Sequence, residues 1–398
     1  MNILFYLHEF CYPLRGGDRV RIFNFLRKLN QSHSLYLISL TQFGVEKESF
    51  EKIKPYFKDI IIIENKKKMA LWRYVKSLIT GIPYKVIHYN SIKAEQAIHS
   101  MIQTYNIDIL VLDYFFIASK NIKKIKIKKY LLAPNLEYVL LKRFIKYGSL
   151  KRKIYGFTQW KSLMKYEINS YNYFDKIIFV SEHDEKQAKI KNPDIDSEVV
   201  EGGIDTHYFL TKREQKPSIP HLIFVGTLWY YPNIQAINYF VRKILPFIKK
   251  EISEIQLTIV GDNPSKEIKN LAKKSGISLF GSVADVRNFI DRASAFIVPH
   301  KIVSGVPYKI LEALSMKIPV ISTVEACEGL KVNPGENILV AETPEEFARC
   351  VIKVIKDEFL WEKISTNGRK FVETCHNADI TAEKLEMIIN SLDNRVKV

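Results

Sequence analysis

The chain has 398 residues, 47% of them hydrophobic and 26% charged, which is ordinary for a globular protein and long enough for two hydrophobic cores. Four cysteines, Cys11, Cys327, Cys350 and Cys375, are too sparse for a disulfide framework and too widely spaced for a zinc pattern, so a reducing cytoplasm is expected and no metal or redox role is implied. No 18 uncharged apolar residues run together, which argues against a membrane-spanning helix, and the net charge of +17 is concentrated in residues 1–216, which hold 37 Lys and Arg against 22 Asp and Glu.

The opening MNILFYL has no charged leader or small-residue cleavage site, is followed at once by His8 and Glu9, and is expected as a first buried strand. PLRGGDRVR comes next. Gly16 and Gly17 can bring backbone N–H groups close to a phosphate, and a helix expected from about Asp18 to Leu29 would point its positive end there; the same two glycines also suit any strand-to-helix turn. The third glycine of a dinucleotide fingerprint is missing, which counts against a nicotinamide-dependent enzyme. LYLISL at 35–40, DIIII at 59–63, IDILVLD at 107–113, KYLLA at 129–133 and KIIFVS at 176–181 are expected as buried parallel strands alternating with amphipathic helices.

The excess cations of this half cluster with aromatic residues in KKKMALWRYVKSL at 66–78, KKIKIKKY at 123–130 and KRFIKYGSLKRKIYGFTQWKSLMKY at 142–166. A solvated face, nucleic acid or an anionic membrane surface could each explain them. No nucleic-acid module signature accompanies the charge, so no nucleic acid is expected and the membrane surface is favoured, with Tyr155, Phe157 and Trp160 at the interface. PDIDSE at 193–198 supplies Asp194 and Asp196, an Asp-x-Asp that a metal-dependent transferase would use, though such triplets are common in turns.

After the polar stretch TKREQKPSIP at 211–220 the alternation restarts with HLIFVG, a helical span from about 233 to 250, QLTIVG, SLFG, AFIVP and PVIST. A second doubly wound domain is expected from 217. In its VSGVPYKILEALSMKIPVIST, a helix is expected over 306–315, with Ser304 as N-cap and unpaired N–H groups at Gly305 and Val306 suited to a phosphate. Lys309 and Glu312 share the polar face of that helix, either as an exposed ion pair or as ligand-binding groups.

Five stretches of the second half, VVEGGIDTHYF, LIFVGTLWYYPNIQAINYF, LTIVGDNPSKEIKNLA, LFGSVADVRNFIDRASAFIVPH and SGVPYKILEALSMKIPVISTVEACEGL, resemble in order and spacing the nucleotide-sugar-binding domain of family 4 and related retaining glycosyltransferases. GGDRVR and the VSEHD turn at 180–184 are looser matches in the first half. The resemblance implies the α/β GT-B fold: two Rossmann-like doubly wound domains facing a cleft, an acceptor-binding domain at 1–210 and a donor-binding domain at 217–375, with a helix at 376–398 crossing back to the first. It implies a glycosyltransferase that uses a nucleoside diphosphate sugar as donor substrate, no separate cofactor or metal, and a glycan or lipid-linked acceptor in surface polysaccharide or glycolipid assembly. Transfer would retain anomeric configuration, with the leaving phosphate as proton acceptor and no side-chain base.

Site residues follow position by position from that resemblance. Glu312 stands where the family's ribose-binding glutamate stands, Gly305 and Val306 would cradle the diphosphate, and the turn from Gly281 to Val283 would hold the base. Ser304 stands where a second glutamate touches the donor sugar. The resemblance would place a phosphate-clamping Arg just after Gly226 and a Lys a few residues on; here Thr227 and Leu228 follow and no lysine is near, so backbone, helix dipole, Lys309, Arg19 or Arg21 would meet the phosphate charge. Pro134 stands in place of a sugar-contacting histidine, with Asn135 and Glu137 beside it and Asn135 a candidate contact. A non-catalytic sugar-nucleotide or partner-binding protein is the alternative.

Overall fold

The computed structural model describes residues 1–14, 16–65, 71–211, 213 and 215–391. Residues 66–70 of the first basic cluster, 212 and 214 of the polar stretch, and 392–398 of the final helical segment lie outside them.

Seven short segments of the first half form one all-parallel sheet: β1 (Asn2–Leu7), β2 (Ser34–Thr41), β3 (Asp59–Glu64), β4 (Ile109–Leu112), β5 (Lys128–Ala133), β6 (Lys176–Phe179) and β7 (Ser197–Val199). Their order is β3-β2-β1-β4-β5-β6-β7. In β1, Ile3, Phe5 and Leu7 and the alternate Leu4 and Tyr6 are all nearly inaccessible, as expected for a strand covered on both faces. The unforeseen β7 is only three residues long and pairs with β6 from Ile177 to Phe179. The chain reverses its direction of travel across the sheet between β1 and β4, which opens a crevice at the carboxyl ends of those two strands.

The second half repeats the plan with β8 (His221–Val225), β9 (Gln256–Val260), β10 (Ser278–Phe280), β11 (Ala295–Val298), β12 (Val320–Thr323) and β13 (Leu339–Ala341), in the order β10-β9-β8-β11-β12-β13. Alternation along the strands feeds two separate cores. Leu222, Phe224, Ala295 and Ile297 join one, and Ile223, Phe296 and Val298 join the other. Reversal here falls between β8 and β11. The helical span expected near 233–250 is the Tyr231–Tyr239 helix, a π turn over Phe240–Ile244 and the Leu245–Glu251 helix. Pro246, which lacks an N–H to donate, lies just past the π turn.

The chain divides into two compact units, Met1–Gly203 together with the segment from Ala378, and Ile204–Asn377. The division falls earlier than the polar stretch at 211–220 because that stretch and the residues before it are fastened to the second unit. Ile204 N donates to His376 O at 2.8 Å, Phe209 O accepts from Ser315 Oγ and Arg369 Nη1, and Arg213 Nη1 donates to the carbonyls of Asp291 and Ala293. The Ala378–Asn390 helix belongs to the first unit, where Ala382, Leu385 and Ile389 enter the core beside Ile22 and Leu26, and Arg27 and Lys28 pair with Asp379 and Glu383. Those exposed ion pairs add little compared with the apolar contact. Leu385→Ala should therefore destabilise the first unit by about 2–5 kcal/mol, visible as a lower urea midpoint for that unit's transition, whereas Asp379→Ala should shift it by less than about 1 kcal/mol.

Candidate functional site

The polar groups of the second unit converge at its strand-order reversal, where β8 and β11 end side by side. β8 runs directly into Gly226. A β-carbon there would lie 2.8 Å from Lys309 Nζ and 2.9 Å from Asn233 Nδ2, so only glycine lets these two side chains close over the backbone. Gly261, after β9, is pressed harder still, since its β-carbon would overlap the Gly226 carbonyl. Ser282, in the turn from Gly281 to Val283 after β10, donates to Asp262 and ties that turn to the loop after β9. Glycines and short polar links thus draw three strand-end loops together.

Lys309 lies in the first turn of the Tyr308–Ser315 helix and reaches back to Asn233, whose Oδ1 accepts from Lys309 Nζ at 3.0 Å and from His300 Nε2 at 2.8 Å. Asn233 Nδ2 donates to Thr227 O, which fixes the amide orientation. The ammonium also sits 4.7 Å from the centre of the Phe224 ring, on which His300 stacks. Burial pushes the Lys309 pKa down to about 7, partly opposed by Glu312, and burial with the Lys309 charge holds His300 well below its usual range. His300 is therefore a neutral, buried ring that orients the amide. Neither Asn233 nor His300 was picked out from the sequence, although His300 stands two residues past β11 and Asn233 stands on the first helix after Gly226.

Glu312 lies one turn beyond Lys309 and is half-buried. The exposed ion pair expected as one reading of these residues is not formed: Lys309 is committed to Asn233, and among the described residues the Glu312 carboxylate makes no hydrogen bond or ion pair. Burial raises its pKa to about 7, partly countered by Lys309. A half-buried carboxylate without a donor of its own is a strong acceptor awaiting hydroxyl or N–H groups.

The helix begins later than the sequence suggested. Pro307, with extended backbone, is its N-cap, so Ser304 is three residues too early to cap it. Ser304, Gly305 and Val306 instead form the turn that precedes the helix. Gly305 has φ 74°, a left-handed conformation that glycine tolerates best. Its carbonyl packs on Gly329, where a β-carbon would come within 2.7 Å. The turn is thereby held in front of Lys309 by backbone contact rather than by a capping hydroxyl.

In the first unit, Gly16 at φ 106° is the N-cap of the Gly17–Leu29 helix and Gly17 is its first residue. Arg21 is not at that turn. Its guanidinium is buried, 3.4 and 3.5 Å from the carbonyls of Val200 and Ile178 and over the Phe25 ring, because the fifth residue of the helix faces the sheet. Arg19 pairs with Glu9. Asn135 lies between β5 and the Glu137–Tyr147 helix, with Oδ1 buried and without a hydrogen-bond partner. Glu137 pairs with Lys85 at 2.6 Å. Asp196 is taken up by Lys176 at 2.7 Å, and among the described residues no group of three or more potential metal ligands occurs.

The basic 142–166 segment spans two helices, Glu137–Tyr147 and Leu150–Ser170. Tyr155 faces inward, stacked on Tyr74 and edge-on to Tyr84, and burial raises its pKa. It is half-buried in this packing, less open than a membrane-facing position was expected to be. Trp160 is half-covered by Lys142 and Lys161, while Phe157 is 72% exposed.

Residues 219–357 match the family described as glycosyl transferases group 1. The chain is 25% identical over 375 residues to an uncharacterised 44.6 kDa protein in the cps region of Klebsiella pneumoniae, covering 91% of this chain and 93% of that one. It is 32% identical over 125 residues, 30% of this chain and 32% of the other, to the capsular polysaccharide biosynthesis glycosyltransferase CapM of Staphylococcus aureus. Among solved structures, HepE from Anabaena, crystallised with UDP and glucose, superposes with a TM-score of 0.66 at 12% identity, covering 98% of this chain and 99% of that one, and shares the GT-B fold.

The Glu312 environment has a consequence for stability. A carboxyl whose pKa rises from 4.5 unfolded to about 7 folded favours the folded state below pH 4.5, and that stability is lost as pH rises through 7. Glu312→Gln should remove this slope. The variant should gain about 1–2 kcal/mol relative to the native protein between pH 5 and pH 8, after allowance for solvent screening, read from denaturant midpoints of the second unit across that range.

Proposed function

We propose that this group 1 glycosyltransferase moves a sugar from a nucleoside diphosphate sugar to a glycan or lipid-linked acceptor in surface polysaccharide or glycolipid assembly, with the second unit holding the donor. One observation carries the assignment of the donor site: a half-buried ammonium, Lys309, pressed against Gly226, with the unpartnered Glu312 carboxylate one helical turn away. A nucleoside diphosphate has a matching pair of features. Its phosphates supply the negative charge that Lys309 lacks, and its ribose supplies two adjacent hydroxyl donors for Glu312.

Lys309 here replaces the clamp that the loop after Gly226 does not provide. A diphosphate placed at Gly226 would meet Nζ and the N-terminal turn of the Tyr308–Ser315 helix together. As the sugar leaves, charge grows on the phosphate oxygen, and a preoriented ammonium in a partly dry site stabilises it. Asn233 and His300 hold the ammonium in place. Gly305 and Val306 stand before the same helix turn, Ser304 beside them faces the sugar in this reading, and Gly281 and Val283 frame the base. UDP bound to HepE, together with the capsular assignments of CapM and of the Klebsiella gene region, supports both the donor class and the pathway class.

In this reading the acceptor works at an anionic membrane surface. Among the described residues no helix is long and apolar enough to cross a membrane. The Leu71–Thr80 helix instead leaves Leu71, Trp72, Val75, Leu78 and Ile79 exposed, with Arg73 and Lys76 on the same short helix. Leu150, Ile154 and Phe157 are exposed beside Lys151, Arg152 and Lys153. Apolar side chains flanked by cations suit the headgroup boundary of an anionic leaflet.

Glu312→Ala should weaken nucleoside diphosphate binding by about 1.5–3 kcal/mol, measured by calorimetric titration with UDP and GDP under conditions where circular dichroism shows an unchanged fold; native affinity in the variant would remove Glu312 from the site. For the membrane, native protein should sediment with phosphatidylglycerol-containing vesicles at low salt and come off as salt rises, and Trp72→Glu with Phe157→Glu should abolish binding. Equal binding to neutral vesicles would refute the electrostatic part of that reading.

A further inference from the structure

The first unit contains a groove of about 890 Å³ that takes no part in holding the donor. Its size is that of a small-molecule site, for which about 300–1,000 Å³ is usual. The lining comes from the Leu71–Thr80 helix, the Tyr84–Tyr89 helix, the start of the Ile92–Tyr105 helix and the turn at Phe115–Ile117, all within one compact unit. More of its accessible lining is apolar than polar. Val86, Phe116 and Ile117 back it and are nearly inaccessible, Ile82 is half-buried, and Trp72 and Ile92 stand exposed at its edge.

The charge of the groove is one-sided. Four cations line it, Arg73, Lys76, Lys93 and Lys120, against two acids, Glu64 and Glu95. Glu95 already accepts from Asn121 Nδ2 at 2.8 Å. Among the described residues, the ammonium groups of Lys76, Lys93 and Lys120 make no ion pair or hydrogen bond, and Lys76 Nζ lies 6.0 Å from the centre of the Trp72 ring. An apolar trough edged by uncommitted cations asks for a ligand with an apolar chain and an anionic head.

The Leu71–Thr80 helix says where such a ligand would come from. Helical spacing puts Trp72, Arg73 and Lys76 on the side that lines the groove, whereas Leu71, Val75, Leu78 and Ile79 share another side and are all exposed. One helix thus presents an apolar side to its surroundings and a mixed aromatic and basic side to the groove. Single-chain lipids are held at a headgroup boundary by the same pairing of apolar side chains and cations.

We propose that this groove binds the phosphate ester of one long apolar chain, with the chain along Ile82, Val86 and Phe116 and the phosphate held by Lys76, Lys93 and Lys120. The proposal goes beyond attraction of the whole protein to an anionic surface, because it assigns a saturable site for one molecule. It concerns binding in the first unit alone and does not depend on the donor site.

The test is calorimetric titration of the full-length protein with dodecyl phosphate below its micelle concentration, beside dodecanol and inorganic phosphate. Dodecyl phosphate should bind one to one and at least about 10-fold more tightly than either fragment of it. Lys93→Ala with Lys120→Ala should weaken it about 10-fold or more. Ile92→Glu should do the same by setting a carboxylate at the groove edge, and the fold should tolerate it, since Ile92 is exposed and an acid in the first turn suits a helix start. Circular dichroism and melting temperature check that both variants remain folded. Equal affinity for dodecanol, or dodecyl phosphate binding unchanged in both variants, would overturn the proposal. Variants that lose sedimentation with phosphatidylglycerol vesicles but keep native dodecyl phosphate affinity would also overturn it, because these cations would then serve the membrane surface as a whole. Titration with UDP and GDP tests the donor assignment separately, so that assignment can stand if the groove proves empty of chain phosphates.

Discussion

One half-buried ammonium organises the polar centre of the second unit. Lys309 cannot be left charged in an apolar setting without partners, and each element near it supplies one. Gly226 gives it room, Asn233 gives it an acceptor, His300 holds that acceptor, and Phe224 offers its ring face. Even so, burial depresses its pKa to about 7. A site in that condition gains from an incoming anion, because the ligand's charge offsets a desolvation penalty that the fold only partly offsets.

The first unit handles buried charge differently. Several of its enclosed ionisable groups are met by near partners: His8 by Asp113, Glu137 by Lys85, and Glu167 by the first N–H groups of the Glu137–Tyr147 helix and Tyr171. Glu167, fully enclosed, has its pKa raised to about 8 and acts as a structural anchor for that helix start. His8 differs from the other members of these pairs in having a second nitrogen, and only that atom is left over beside a cavity. The same parallel sheet architecture therefore places a polar centre at the point where strand order reverses in each unit.

Much of the frame was legible in the sequence because buried parallel strands are short, apolar and regularly spaced. β1 to β6 and β8 to β12 all fall on runs visible without a structure. β7 and β13, three residues each, were not, although the equally short β10 stood out in SLFG; a piece of that length carries little periodic signal of its own and depends on its neighbours. Helix starts were less legible. Ser304 has the chemistry of an N-cap, yet Pro307 takes the position, since the glycine turn at 305 must first pass beneath Gly329. Charge counting likewise located the basic surface without saying which aromatic residues of Leu150–Ser170 face outward, and Tyr155 turned inward where Tyr74 and Tyr84 received it.

By itself the sequence determined the two-sheet α/β architecture, the glycine turns at 16–17 and 226, and the placing of Lys309 and Glu312 on one helix face, because strand length, helical period and glycine are local properties of the chain. Tertiary structure alone decided what those residues meet. Lys309 left Glu312 for Asn233, Arg21 was spent on sheet carbonyls, and His8 found Asp113 across 105 residues of chain. Such partnerships depend on which strand ends are neighbours, and strand order is set by long-range packing that no local pattern encodes.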